Sequence, residues 1–581
     1  MKTSDRGTVR AFDMVVIGAG PAGLMAAIAA AECGAHVAVC EQLDQPGRKL
    51  LATGGGRCNL TNTLSDADFM SRFGRHGRFM QPALAAMNAP RLRDFFAALG
   101  VPTHCADGFH VFPVSESAGD VLDALLRRCR ALKVELLLRT AVQSLRIREG
   151  QVTGVSVACD RTKREIVARA VVIATGGKSY LRASNTMPRP KTGTGTFCAQ
   201  HPKGLQAKCT CPFFRSTSCP ESESGLSRPR GILLEALMLG STGGGYALAA
   251  QAGHQIVPPV PALVPLVTKE RLPAQCAGVV ISNTRVWIEL PRRARSGCAG
   301  EVLFTHRGVS GPAVLDLSGD VARLLEDDPG RGAQPPPAAK EDRRGRLCST
   351  SSGRIEPESL LSIPGGDAGV PIRIDLTPGT TAAQWRARFE EWHREHGRRA
   401  VSTALADHLP ASPAERKRGQ VPFVRSTQGA YRQKVPVPFS TCLPASLARA
   451  VCEVAGLPHG LTAAQFDQAQ RAKLADCLTG LPLTAVATEG FERAMVTRGG
   501  VNLREVDPRT LASRRVGGLF FAGEVLDLDG PCGGFNLQWA FSSGHLAGRG
   551  GKGDRYLLCA APKGPTGKRY LSPFPLRNPN E

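Results

Sequence analysis

Residues 12–23 read FDMVVIGAGPAG, and this stretch decides the fold of the amino-terminal half. A short apolar run rich in valine leads directly into three spaced glycines, and the helix-favouring sequence LMAAIAAAECG follows. A second apolar run, HVAVC at residues 36–40, ends at Glu41, about 20 positions beyond the glycines. Strand, glycine turn, helix and a later acidic residue together predict a dinucleotide-binding βαβ unit rather than a glycine turn without a ligand.

Each glycine of this turn has a separate physical role. Gly18 permits the tight turn, Gly20 lets a pyrophosphate approach the backbone, and Gly23 lets the helix pack closely on the strand. The helix N-terminus offers free N–H groups and partial positive charge to phosphates, while Glu41 can accept hydrogen bonds from a ribose. The predicted cofactor-binding residues of this unit are Gly18, Ala19, Gly20, Pro21, Ala22, Gly23, Glu41 and Gln42.

A second glycine-rich stretch, GGGRCNLTN at residues 54–62, follows the second strand and should lie along the same dinucleotide. We predict that its glycines contact a flat ring closely, while nearby basic and amide side chains neutralise phosphate and hydrogen-bond the edges of a flavin. The residues assigned to this loop are Arg48, Lys49, Gly54, Gly55, Gly56, Arg57, Cys58 and Asn59, with Asn62 as a further hydrogen-bonding side chain. Cys58 is either a redox nucleophile or a structural thiol, and the lack of a nearby C-x-x-C partner favours the structural thiol.

Further strands with small-residue turns occur in the middle and near the end of the chain. Residues 168–177 (ARAVVIATGG) follow an expected β-hairpin, and residues 516–523 (VGGLFFAG) run into Glu524. A helix beginning near Asn536 can point its N-terminus at the N1–O2 edge of a flavin, where its partial charge would stabilise the anionic reduced ring. The residues assigned to these segments are Ala141, Val142, Thr175, Gly176, Gly177, Gly523, Glu524, Asp529, Gly534, Asn536 and Leu537.

Length and charge narrow the remaining possibilities. A chain of 581 residues suggests about two to four domains. The formal net charge of +23 fits a nucleic-acid or membrane partner, or basic residues scattered over loops. Because no lysine block or basic amphipathic helix stands out, we expect scattered charge, a small-molecule substrate, no nucleic acid and no membrane. The first 20 residues lack an apolar signal core and the 18 cysteines are scattered, so we expect a cytoplasmic protein.

A series of motifs resembles one family. In chain order the motifs include GAGPAGL, GRKLLATGGGRCNLTN, FPVSESAGDVLDAL, VVIATGGKSY, STGGGYALAAQAGH, EVLFTHRGVSGPAVLDLS, VTRGGV and GLFFAGEVLDLDGPCGGFNLQ. Together they resemble the BaiN-like family of NAD(P)/FAD-dependent oxidoreductases, also described as aminoacetone-oxidase-like flavoproteins. The resemblance implies an α/β fold, namely a split Rossmann-like FAD-binding domain of the glutathione-reductase type. A β-barrel-like segment and a small helical segment would be inserted between its halves.

This layout predicts specific boundaries. The two halves of the FAD-binding domain are residues 1–195 and 481–550, the barrel-like segment is 240–380, and the helical segment is 381–480. Stretches rich in Pro, Gly, Ser and charge predict disordered insertions and a disordered tail. These are residues 196–239, 328–369, 412–440 and 551–581.

The first insertion interrupts a motif that the resemblance implies to be continuous. Residues 191–193 (KTG) and 240–246 (GSTGGGY) flank it, and Gly244 stands where an acidic residue is expected. The insertion carries four cysteines and a histidine that invite a zinc interpretation, but only Cys209 and Cys211 are closely spaced, so we predict solvated thiols and no metal. The zinc candidates are Cys198, His201, Cys209, Cys211 and Cys219. The broken motif also raises the alternative of a catalytically impaired flavoprotein.

The resulting functional hypothesis is an FAD-dependent oxidoreductase. The flavin would transfer hydride through N5 to or from a small organic substrate, with NAD(P)H docking transiently because the chain has only one dinucleotide fingerprint. His306, in FTHRGVSGP, is either a catalytic proton donor near the flavin or a hydrogen-bonded loop histidine. A flavin-bearing protein that binds or modifies tRNA is the second hypothesis.

Overall fold

The structure is a computed structural model, and it describes residues 10–159, 162–179, 242–290, 297–327, 369–395, 397–408 and 445–550. The predicted insertions at 196–239 and 412–440 and the predicted tail at 551–581 lie outside the described residues. Of the predicted insertion at 328–369, residues 328–368 also lie outside them. No helix in the described ranges has both the length and the apolar character that crossing a bilayer requires.

Helices and strands are numbered in chain order. The helices are α1 (Pro21–Glu32), α2 (Arg48–Leu51), α3 (Asp66–Ser71), α4 (Gln81–Ala86), α5 (Ala89–Ala98), α6 (Ala118–Ala131), α7 (Gly244–Gln251), α8 (Leu272–Gln275), α9 (Pro312–Glu326), α10 (Ala382–Glu395), α11 (Val401–His408), α12 (Ala445–Val454), α13 (Gln468–Thr479) and α14 (Phe535–Gly548). The strands are β1 (Arg10–Ile17), β2 (Val37–Cys40), β3 (Thr61–Asn62), β4 (Thr103–His104), β5 (His110–Pro113), β6 (Glu135–Leu137), β7 (Thr140–Arg148), β8 (Gln151–Cys159), β9 (Thr162–Ile173), β10 (Ile256–Ala262), β11 (Leu266–Thr268), β12 (Val280–Ile288), β13 (Cys298–Phe304), β14 (Gly308–Ser310), β15 (Val370–Asp375), β16 (Leu481–Thr488), β17 (Val496–Val501) and β18 (Leu519–Phe521).

The largest sheet positions the site. Its strand order is β6–β2–β1–β9–β8–β7, with β18 beside β9, and β1, β2, β9 and β18 run parallel. The central strands are continuous apolar runs because both faces of a parallel sheet are covered. Ile17, Cys40, Ile173 and Phe521, which end these four strands, lie opposite one another in register. The turns that follow the four strands therefore meet at a single edge of the sheet, where ligands of such folds bind.

Helices α1 and α14 pack against each other with almost no side chain between them. A Cβ atom on Gly544 would lie 2.2 Å from the carbonyl oxygen of Ala22, and one on Gly548 would lie 2.2 Å from that of Ala26. Only glycine fits at such distances, so the two helices approach with their backbones in contact. This contact joins the first and last segments of the described chain.

A closed barrel forms the second unit. Its strand order is β11–β14–β13–β12–β15–β16, and helices from the inserted segment pack against it. The shared core contains Trp385, Phe389, Trp392 and Phe466, all of which are fully buried or nearly so. The barrel and the helical segment therefore share one hydrophobic core rather than two.

Two predicted boundaries need correction. Residues 244–262, which were assigned to the barrel-like segment, form α7 and β10, and Tyr246 and Leu248 pack in the core of the large sheet. Residues 481–488, which were assigned to the FAD-binding domain, form β16 and close the barrel between β15 and β11. A barrel needs a last strand to pair both open edges, and here the chain supplies it only after the helical insertion.

Candidate active site

A cleft of about 490 Å³ opens at the edge where the parallel strands end. Segments from both ends of the chain line it, including Gly20 and Pro21 on one side and Gly523 and Asn536 on the other. A Cβ atom on Gly523 would lie 2.9 Å from the Cβ of Ala22, so the two glycine turns are in direct proximity. The structure thus brings together turns that are about 500 residues apart in sequence.

Most of the residues predicted to bind a cofactor line this cleft. They are Gly18, Gly20, Pro21, Ala22, Glu41, Gln42, Arg48, Lys49, Gly54, Gly55, Asn59, Val142, Thr175, Gly176, Gly523, Glu524, Gly534, Asn536 and Leu537. The remaining predicted residues are not among the lining residues. They are Ala19, Gly23, Gly56, Arg57, Cys58, Ala141, Gly177 and Asp529.

The first glycine turn is shaped to receive a ligand. Gly20 has φ −82°, which any residue can adopt, and a Cβ atom there would meet no atom within 4 Å. Gly23 is different, since its Cβ would lie 1.8 Å from the carbonyl oxygen of Gly18. Gly23 therefore serves the packing of α1, whereas Gly20 leaves space in the cleft for a group that approaches the backbone.

Two helix N-termini open on the cleft without a side-chain cap among the described residues. They belong to α1, which begins after Gly20, and α14, which begins after Gly534. Uncapped N–H groups and the positive end of the helix dipole attract phosphate and other anionic groups. The cleft is therefore electrostatically suited to a dinucleotide whose pyrophosphate and ring edge carry negative charge.

Glu41 lies where a ribose-binding carboxylate is expected. Its two carboxylate oxygens accept hydrogen bonds from the N–H groups of Ala19 at 2.8 Å and Leu43 at 3.0 Å. A carboxylate has about four lone-pair sites, so capacity remains for ribose hydroxyls. Ala19 therefore acts on the site by orienting Glu41.

The asparagines of the second glycine stretch hold the carboxy-terminal loop. In the amide orientation that satisfies both of its groups, Asn59 donates to the carbonyl of Thr61 at 2.9 Å and accepts from the N–H of Gly534 at 3.1 Å. The amide of Asn62 donates to the carbonyl of Gly533 at 2.9 Å. In this structure both amides position the turn that begins α14, and Asn59 also lines the cleft, so its predicted contact with a ring edge stays a prediction.

The three basic residues predicted to neutralise phosphate all have carboxylate partners. Arg48 pairs with Asp44 at 2.6 Å. Lys49 pairs with Glu524 at 2.6 Å. Arg57 is half exposed, lies over a phenylalanine ring and contacts Glu116 at 3.4 Å. The helix N-termini are thus the better-placed source of positive charge for phosphate.

Two further residues predicted to bind the cofactor, Cys58 and Asp529, have buried side chains and are not among the residues that line the cleft. The Cys58 thiol is fully buried, and this burial raises its pKa to about 12, so it stays protonated at neutral pH. That result favours the structural thiol. Asp529 is held by the guanidinium of Arg498 at 3.1 Å from each carboxylate oxygen, and burial raises its pKa above the ordinary value.

His306 does not reach the cleft. It is exposed in the tight turn between β13 and β14, and it is not among the residues that line the site. The hairpin directs this turn to solvent at the end of the barrel, so the structure gives no support to His306 as a catalytic residue.

Sequence reasoning missed one wall of the cleft. Leu263, Met495 and Val496, which we call the apolar wall, come from the segments that join the barrel to the large sheet. Met495 is 47% exposed, so its side chain is accessible from the cleft that it lines. Val496 is the first residue of the VTRGGV motif, but the motif alone does not indicate a position in the cleft, because the three residues become neighbours only when the barrel docks on the sheet.

The described part of the chain contains no cluster of side chains that could bind a metal ion. No group of three or more His, Cys, Asp or Glu side chains lies together there. The four cysteines and His201 that were considered for zinc lie outside the described residues.

A parallel α/β sheet with glycine turns and uncapped helices around one edge cleft defines a Rossmann-type FAD-binding protein. The chain belongs to the family described as "HI0933-like protein Rossmann domain", whose sequence model matches residues 12–193 and 235–550. This match confirms the predicted family and the predicted fold class, a split Rossmann-like FAD-binding domain with an inserted barrel. The unmatched residues 194–234 overlap the first predicted insertion.

Two curated relatives are similar over nearly their whole length. One is a 3-dehydro-bile acid delta(4,6)-reductase of Clostridium scindens, 28% identical over 543 residues, covering 92% of this chain and 97% of the relative. The other is a ribosomal RNA dihydrouridine synthase of Escherichia coli, 26% identical over 543 residues, covering 92% and 96%. Among solved structures, a 3-ketosteroid-delta4-(5alpha)-dehydrogenase from Rhodococcus jostii is 16% identical, with a TM-score of 0.40 and coverage of 94% and 97%.

Proposed function

We propose that the protein is an NAD(P)H-linked, FAD-dependent reductase of a small substrate whose carbon–carbon double bond is conjugated to a carbonyl group. The names of the two relatives denote reactions that saturate such bonds, one in a 3-oxo steroid skeleton and one in a uracil ring. The observation that carries the proposal is the cleft itself, which combines a glycine-lined half with the apolar wall.

The residues of the cleft fit FAD. The α1 N-terminus at Gly20 would hold the pyrophosphate, Glu41 would hold a ribose, and the α14 N-terminus at Asn536 would face the ring edge that carries negative charge on reduction. When bound, the cofactor supplies hydride chemistry. The protein's own contribution is to orient the ring and exclude water, and the apolar wall of Leu263, Met495 and Val496 would seat an apolar substrate beside it.

NAD(P)H would deliver electrons without a second dinucleotide domain. Under anaerobic conditions we expect NADH or NADPH to bleach the flavin absorbance at roughly 450 nm, followed by recovery when an enone such as 2-cyclohexen-1-one is added. Dithionite provides the control, because it reduces any accessible flavin. Bleaching by dithionite but by neither nicotinamide would contradict the NAD(P)H linkage and favour the impaired flavoprotein.

A specific surface favours an RNA base as a second candidate substrate. Arg75, Arg504 and Arg514 come from separate segments and converge with Phe79 on an open basin of about 670 Å³, which we call the arginine basin. The arginine basin adjoins the FAD cleft, since the rings of Phe79 and Trp539 pack edge to face with their centroids 6.3 Å apart, and Trp539 lines the cleft. Arginines with an aromatic ring suit a nucleic-acid backbone and an unstacked base.

Salt dependence tests the RNA candidate. We expect a fluorescent single-stranded RNA to bind less tightly as salt rises, and Arg→Gln replacement of Arg75, Arg504 and Arg514 together to reduce the log–log slope by about 2. A matched triple variant of Arg127, Arg130 and Arg148, which are exposed elsewhere, should leave the slope nearly unchanged. Equal loss in both variants would show non-specific attraction and remove this candidate.

A further inference from the structure

Lys49 is a cationic group held rigidly in the wall of the cleft. Its ammonium donates to the carboxylate of Glu524 at 2.6 Å and to the hydroxyl of Ser179 at 2.7 Å. The side chains of Lys49 and Glu524 are 23% and 19% exposed, so the pair is largely withdrawn from water. Lys49 and Glu524 both line the cleft.

The partners of Lys49 are themselves fixed. Ser179 and Thr497 are fully buried, and the Thr497 hydroxyl accepts the backbone N–H of Ser179 at 3.1 Å. The other carboxylate oxygen of Glu524 accepts the N–H of Thr497 at 2.9 Å and the Ser179 hydroxyl at 3.3 Å. Segments that follow β9, the barrel and β18 therefore orient one ammonium group.

The Lys49 ammonium has one N–H donor that makes no hydrogen bond to the described residues. An ammonium group has three N–H donors, and the hydrogen bonds within the described residues use two of them. Because Lys49 lines the cleft, the third donor is available to a ligand there. A partly buried ion pair gives little net stability, because the loss of hydration offsets the attraction between the charges. Stability alone therefore does not explain why a lysine lies beside a ligand cavity.

We propose that Lys49 is a catalytic residue that donates this third N–H to the carbonyl oxygen of the substrate and stabilises the negative charge that develops there. This rests on the proposed function. When bound, the reduced cofactor would supply hydride to the β-carbon, and the π electrons of the double bond would shift onto the carbonyl oxygen, where Lys49 would stabilise them. The electron pair would return from the oxygen to the α-carbon as a proton from water adds there, leaving hydroxide. Lys49 keeps its own proton throughout, while Ser179, Thr497 and Glu524 are positioning residues.

An oxyanion probe tests the proposal without turnover. 4-Nitrophenolate carries a negative oxygen conjugated to a π system, as the reacting substrate does, and its binding to the oxidised holoprotein can be followed through the flavin spectrum. We expect Lys49→Met to weaken this binding about 100-fold, the usual effect of removing one oxyanion donor, and Lys49→Arg to keep it within about tenfold. Lys473→Met removes an exposed lysine on α13 and should leave binding unchanged.

A second variant covers the case in which Lys49→Met fails to retain FAD. Ser179→Ala keeps the charge but removes one of its fixed partners, and we expect about fivefold weaker phenolate binding, corresponding to one hydrogen bond. Phenolate binding that is unchanged in Ser179→Ala and in any FAD-loaded Lys49→Met overturns the proposal. If binding depends on Lys49 but the dithionite-reduced protein fails to reduce 2-cyclohexen-1-one, the proposed function fails while the oxyanion site stands.

Discussion

Replacing Gly20 with leucine is expected to leave the chain folded and to abolish stoichiometric FAD binding. The backbone of Gly20 has φ −82° and ψ −176°, so an L-residue fits without strain. A side chain there would meet no protein atom within 4 Å of its Cβ, because it would extend into the cleft. The leucine would therefore occupy the space where the pyrophosphate approaches the N-terminus of α1.

The measurement is the ratio of bound flavin to protein, from absorbance at roughly 450 nm, together with thermal unfolding of the apoprotein. We expect the dissociation constant for FAD to rise at least about 100-fold, which corresponds to about 2.7 kcal/mol. Ala97→Leu places the same side chain at an exposed position of α5 and should retain FAD. A Gly20→Leu protein that remains yellow at full stoichiometry would refute our placement of the pyrophosphate.

The contrast between Gly20 and Gly23 shows what a local pattern can predict. The strand–turn–helix pattern gave each glycine a role, and the geometry matches it, since Gly23 packs against Gly18 and Gly20 faces the cleft. Such roles are local, because they depend on backbone angles and on neighbours within a few residues. The parallel strands were equally visible as continuous apolar runs, because burial on both faces leaves little choice of residue.

Long-range pairing was not predictable in the same way. The sequence shows that Lys49 is basic, but its partner Glu524 lies 475 residues further along the chain. The same holds for Asn59, whose amide accepts a hydrogen bond from the N–H of Gly534, 475 residues further along the chain. A polar side chain next to a glycine loop indicates a site, but the hydrogen bonds it makes depend on segments that meet it only in the folded protein.

The barrel boundary illustrates the same limit at the level of topology. Alternating runs predicted β-structure after residue 262, but nothing local indicates that β16, beyond the helical insertion, supplies the closing strand. The apolar wall depends on that closure, because Met495 and Val496 lie where the chain passes from β16 to β17. The part of the cleft that would select the substrate is thus also the part that the sequence predicted least.

Replacing Gly544 with leucine is expected to have the largest effect on stability. Its Cβ atom would lie 2.2 Å from the backbone oxygen of Ala22, and backbone cannot move aside unless α14 separates from α1. Overpacking usually costs about 1–3 kcal/mol, and more where the surroundings are rigid. We expect the free energy of unfolding to fall by more than about 3 kcal/mol, despite the helix propensity gained on replacing glycine. The measurement is urea unfolding of the apoprotein.

FAD affinity should fall together with stability, because α1 and α14 each present an uncapped N-terminus to the cleft. If the two helices separated, these N-termini would move apart and would no longer bind one cofactor together. Gly119→Leu is the matched control, since Gly119 also lies in a helix and its Cβ would meet only the Ser117 hydroxyl at 3.3 Å. That variant should change stability by no more than about 1 kcal/mol. Equal unfolding midpoints for the Gly544 and Gly119 variants would mean that the two helices are not held by backbone contact, and the argument that this contact forms the cleft would fail.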